Sequence, residues 1–125
     1  MRPAFLQGVA QYVLNFLTGA GPLKPEQEAL VEQAKSVKIP AVLDQLNAML
    51  ERSEGDFVAG AEATIADFQL WGEFHNDVAY LNFDYSKWGA INKWIDACHE
   101  VHGMKEMHDA HAAACPGIKS ALGLP

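Results

Sequence analysis

The chain has 125 residues, half of them apolar, a composition that buries a core without disulfide or metal staples and excludes a disordered segment. Nine basic residues stand against sixteen acidic ones, a net charge of −7, and no stretch collects the Lys and Arg that would bind nucleic acid or an anionic membrane. The two cysteines, Cys98 and Cys115, are expected to be free thiols in a cytoplasmic protein, because a domain spanning residues 1–125 needs no cross-link.

Residues 3–18 read as an amphipathic helix and not as a secretory signal. Gln7, Gln11 and Asn15 recur every four residues on one face, while Phe5, Leu6, Val9, Val13, Phe16 and Leu17 cover the other. No uninterrupted apolar run approaches the roughly 20 residues that span a bilayer. Gly19-Ala20-Gly21-Pro22 ends this helix, and Pro25, Glu26 and Glu28 suit the first turn of the next, along which Leu30, Val31, Ala34 and Val37 continue at helical spacing. Pro40 is expected to kink or break the run. Beyond it Val42, Leu43, Leu46, Met49 and Leu50 follow the three-four rhythm of a core-facing stripe.

Residues 53–56 read as a turn and residues 57–60 as a short extended piece. A helix starting at Thr64 carries the apolar face Ile65, Phe68, Trp71, Phe74, Val78 and Leu81. Asp84 or Ser86 is the expected cap of the helix that buries Trp88, Ile91, Trp94, Ile95, Cys98 and Val101, with Gly103 marking its end. A last helix from Met104 to Ala114 is expected to stop at Cys115-Pro116-Gly117, leaving residues 118–122 as a docking turn or frayed tail. No alternating strand pattern occurs, so the fold class is all-α, a bundle of five to six helices.

Thr64-Ile65-Ala66-Asp67 matches a capping box, with Asp in place of the usual Glu or Gln. Removing either Thr64 or Asp67 is expected to destabilise by roughly 1–2 kcal/mol. The longer run Phe57-Val58-Ala59-Gly60-Ala61-Glu62-Ala63-Thr64-Ile65-Ala66-Asp67-Phe68 resembles the signature that opens the central helix of glutathione transferase C-terminal domains. Val101-His102-Gly103-Met104-Lys105 is similar to the family's step near the end of the following helix, with His102 where Pro is common. Ala63 stands where the family has a larger apolar residue, which weakens a staple to Phe68.

The resemblance implies the helical half of a two-domain architecture. In that family a thioredoxin-like N-terminal domain binds glutathione and activates its thiol, and no such unit is expected here. Glutathione is therefore expected as a cofactor only where such a domain is supplied, and transferase activity likewise. The helical half contributes an apolar wall for the second substrate, which makes Tyr12 and Phe16 candidate wall residues at positions that core packing also explains. Two functional readings follow. One is a protein-docking or ligand-binding module, not catalytic by itself, with a protein partner, self-association or a hydrophobic small molecule as its occupant. The other is the hydrophobic-substrate-binding half of a transferase.

His99, His102, His108 and His111 fall within a short segment flanked by Cys98 and Cys115, a density that invites a metal reading. In one continuous helix His99 and His108 would lie roughly 14 Å apart, so a single site requires the chain to turn back at Gly103. The spacing matches no zinc-finger pattern, and exposed or singly hydrogen-bonded histidines are the reading adopted, with no metal expected. His75 reads as a packed histidine and not a general base, since no nucleophile stands beside it in sequence. Trp71, Trp88 and Trp94 read as core.

Overall fold

The computed structural model of the chain describes residues 2–124, with the backbone alone described at residues 2–8 and 75–79. Among them are helices α1 (Arg2–Thr18), α2 (Pro25–Gln33), α3 (Ile39–Arg52), α4 (Ile65–Leu81), α5 (Gly89–His99) and α6 (Met104–Leu122), with a π-helical turn at Ala34–Lys38. The fold is all-α, and an isolated bridge between Phe57 and Gly60 is the extended pairing in the loop before α4. The expectations for Phe5, Leu6, Gln7, His75 and Val78 concern side chains outside the described ones.

The chain does not break at Pro40. Helix continues from α2 into α3 through the π-helical turn, where the Ile39 N–H reaches back to the Ala34 carbonyl. Pro40 then lies in the first turn of α3. Widening the turn just before the proline eases the clash between its ring and the carbonyls behind it, and its missing N–H is least harmful there. The α3 stripe buries Ile39, Leu43, Leu46 and Leu50, and α5 lays Ile91, Trp94, Ile95 and Cys98 into the same core. Val42 packs at the edge of that core, whereas Met49 is exposed.

Neither Asp84 nor Ser86 caps α5. Asp84 accepts from the Ser86 N–H at 2.9 Å and closes the preceding turn. The cap comes instead from α3, where the Asn47 side-chain oxygen accepts the N–H groups of Ala90 and Ile91 at 3.1 and 3.3 Å. A neighbouring bond, from the Trp88 indole to Asp44 at 2.8 Å, ties the same two helices together. Sequence-local capping rules miss this acceptor because the residues involved are more than forty positions apart.

α6 also departs from expectation. It runs past Cys115-Pro116-Gly117 and ends at Gly123, whose φ of 70° closes the helix in the left-handed region. Pro116 leaves the Ala112 carbonyl without its helical donor, and beyond it Lys119 donates to Asn82 at 2.7 Å, just past the end of α4. Residues 118–122 are thus helix, not a frayed tail.

The core face of α4 is shifted from the apolar pattern. Trp71, Phe74 and Leu81 are buried, but Ile65 is 85 % exposed and Phe68 is 42 % exposed. The inward position in the first turn belongs to Asp67, which is fully buried. Its carboxylate accepts the Val58 N–H at 2.9 Å, the Thr64 N–H at 2.8 Å, the Trp94 indole N–H at 3.0 Å and the Thr64 hydroxyl at 3.3 Å. The side chain of Thr64 therefore donates to Asp67, while the acid reaches back to the cap residue's N–H as a capping box requires. Gly55 lets the loop close over this point, since a Cβ there would meet Ala61 Cα at 2.4 Å.

Burial alone would raise the Asp67 pKa, but the four donors outweigh it and hold the carboxyl below its ordinary value of 3.8. Its stabilising contribution is complete above that value and is lost as the pH falls through the lower folded one. Asp67→Ala should therefore lower the urea midpoint by the equivalent of about 3 kcal/mol or more, because it strands buried donors. Thr64→Ala should cost only about 1 kcal/mol. Equal effects would contradict the geometry. Asn47→Ala should cost about 1–2 kcal/mol through loss of the α5 cap, measured the same way.

Candidate functional site

The polar stripe expected on the solvent face of α1 is broken at Asn15, which is 6 % exposed. Its amide donates to the carbonyls of Gly21 and Pro22 at 3.2 and 3.1 Å and to the Gln27 side chain at 3.0 Å. Gln27 returns a bond at 2.8 Å and also accepts the Lys24 N–H at 3.0 Å. Gly19 and Gly21, at φ of 67° and 79°, supply the left-handed backbone that folds the connector back over Asn15. The amide pair thus locks the end of α1 to the start of α2. The residues beside Asn15 point out instead: Leu14 is 53 %, Phe16 56 % and Leu17 74 % exposed.

Beside that lock is a groove of about 640 Å³, within the range of small-ligand pockets. Tyr12 and Phe16, one helical turn apart on α1, form one wall, with Leu23 and Glu28 beyond the connector. The last turn of α6, from Ser120 to Gly123, forms the other. Burial and then the nearby Glu28 carboxylate raise the Tyr12 pKa above its ordinary 10.0, so the phenol stays protonated at neutral pH and can donate a hydrogen bond. The candidate wall residues Tyr12 and Phe16 therefore lie on one concave surface. Glu28 and the α6 end were not identified from the sequence, the latter because the helix was expected to stop at Pro116.

A second constellation gathers where α4, α5 and α6 meet. The chain turns back at Gly103, φ 88°, and brings the His99 and His108 rings to a centroid distance of 4.4 Å. Trp71 stands edge-on to both, at 5.9 and 6.4 Å. One turn along α6, His111 Nε2 lies 2.9 Å from the Tyr80 hydroxyl. His102 does not join them and is exposed in the turn. Among the described residues no three His, Cys, Asp or Glu side chains are placed to hold one metal ion.

Cys98 is fully buried, and burial together with the Asp67 charge pushes its thiol up to about 12. It is a core residue and not a nucleophile.

The profile of the glutathione S-transferase C-terminal domain matches residues 17–120. The chain belongs to that family. The matched span contains the Thr64 to Asp67 box and helices α2 to α5 in full. No curated protein and no solved structure matches the chain. Among the described residues, no helix of this glutathione transferase C-terminal domain is long and apolar enough to cross a membrane.

A thiol-exchange reagent should modify half-buried Cys115 in the native protein and leave Cys98 untouched until urea is added. Labelling of both at similar rates without denaturant would contradict the burial of Cys98.

Proposed function

We propose that this domain is a binding module, not catalytic by itself, whose groove between α1 and α6 takes an apolar small molecule. The observation that carries this reading is the pairing of Tyr12 and Phe16 along one wall of the groove, opposite Leu122. An aromatic pair offers stacking and apolar area, and the protonated phenol can orient a ligand by one hydrogen bond. The Glu28 carboxylate that lines the groove would oppose a thiolate there.

A second reading, docking to a protein, is favoured by Leu14 and Leu17, which extend the exposed apolar surface from Phe16 along α1 beyond the groove. The two readings separate by mutation. Phe16→Ala removes groove wall, whereas Leu17→Glu alters only the outer stripe.

Titration with N-phenyl-1-naphthylamine, a neutral fluorescent aromatic, should show saturable binding that Phe16→Ala weakens about tenfold, or about 1.4 kcal/mol. Leu17→Glu should leave that affinity unchanged. Millimolar glutathione should neither compete with the probe nor be conjugated above the uncatalysed rate. Non-saturable probe uptake, or affinity indifferent to Phe16, would remove the ligand reading. Loss of self-association or of a protein contact in Leu17→Glu alone would instead favour docking.

A further inference from the structure

The imidazoles at the α4–α5–α6 junction have no part in the groove's proposed chemistry, yet beside the buried Met104 they form a contact by which α6 meets the core. His99 is half-buried at the end of α5, and its Nε2 atom is buried with no hydrogen-bond partner among the described residues. The half-buried His108 ring from α6 lies against it at 4.4 Å, tilted by 35°. Trp71 of α4 closes the apolar side of the pair. Two neutral imidazoles pack well in this geometry. Two imidazolium rings do not, because each positive charge opposes the other and burial deprives both of water.

Among the described residues, the charges near His99 do not reverse the direction that burial and His108 set. Among the described side chains of α4, the neighbouring polar groups are Tyr80, engaged with His111, and the edge of Trp71. On α5 the acid is Asp96, and on α6 the facing charged groups are Lys105 and Asp109. Asp109 is already held by Lys105 at 2.7 Å, and both are well exposed to solvent, so neither offers His99 a buried counter-charge. Cys115 stands on α6 near Tyr80.

We propose that His99 and His108 form a proton-sensitive clasp, which holds α6 against α4 and α5 while the pair is neutral and loosens that helix when His99 takes up a proton. Burial, then the neighbouring His108, lowers the His99 pKa below its ordinary 6.5. His111 is lowered too, by burial and then by His108. The unfolded or undocked segment therefore binds protons more readily than the docked one. Docking is at full strength above about pH 6.5 and weakens as the pH falls through the lower folded values. On the ligand-groove reading, on which this consequence alone rests, the clasp also governs the Ser120 to Gly123 wall, because that wall is the far end of α6.

Hydrogen exchange tests the clasp without any ligand, so its outcome is separate from that of the groove. Between about pH 7.5 and about pH 5.5, protection of amides in residues 104–122, corrected for intrinsic exchange, should fall about tenfold while Leu43 to Leu50 stay protected. The His99→Gln/His108→Gln variant should abolish that pH dependence. Constant α6 protection in the native protein, or the same loss in the variant, would overturn the proposal. If the variant does not fold, histidine titration by NMR in the native protein decides: a His99 value below its ordinary 6.5 supports the clasp, and one at or above it overturns the proposal.

Discussion

A single buried carboxylate organises the core. Asp67 sits at the inward position of the first turn of α4 and collects donors from three parts of the chain: the Val58 N–H in the preceding loop, Thr64 at the cap, and the Trp94 indole of α5. An ionised group with no solvent exposure is tolerable only when its lone pairs are filled, and here they are. The loop before α4 and the α5 core face are therefore positioned by one acid. Burial, and then the Asp67 charge, keep the Cys98 thiol protonated and inert at the centre of the bundle.

The same principle of satisfying distant backbone recurs elsewhere. Asn47 on α3 caps α5, and Asn15 on α1 fastens the connector into α2. Asn47 thus replaces a local cap with a tertiary one, so that forming the α5 terminus and docking it are one event. Such bonds couple the helices more tightly than apolar packing alone, because an unpaired terminus in a closed interface would forfeit both water and partner.

The two ends of α6 have different chemistry. Near its start the histidines pack against α4 and α5, and near its end Ser120 to Gly123 face Tyr12 and Phe16. Pro116 lies between them, at a place where one helical hydrogen bond is missing. A helix weakened in the middle and anchored at both ends transmits less strain from one anchor to the other than an ideal one would. The groove wall consequently depends on the local ties at Lys119 and Asn82 as well as on the histidine contact.

Hydrophobic periodicity, the Thr64 to Asp67 box and the glycine punctuation at Gly19, Gly21 and Gly103 were enough to determine the all-α class, the order of the helices and the family, because these signals are local and repeat within a few residues. Tyr12 and Phe16 were wall candidates through the family resemblance, and both line the groove beside α1. What the sequence did not contain was direction. Asn15 read as solvent-facing and proved buried, and Ile65 and Phe68 read as core and proved exposed. Pro116 read as a stop and proved internal to α6. Each of these residues meets partners that a helical pattern does not report: the carbonyls of Gly21 and Pro22 at Asn15, the donors around Asp67, and Asn82 for the turn of α6 beyond Pro116. Likewise His99 and His108, nine positions apart, become neighbours only because Gly103 turns α6 back along α5. Periodicity reports which residues share a face, but only the packed structure determines which face is buried and what meets it there.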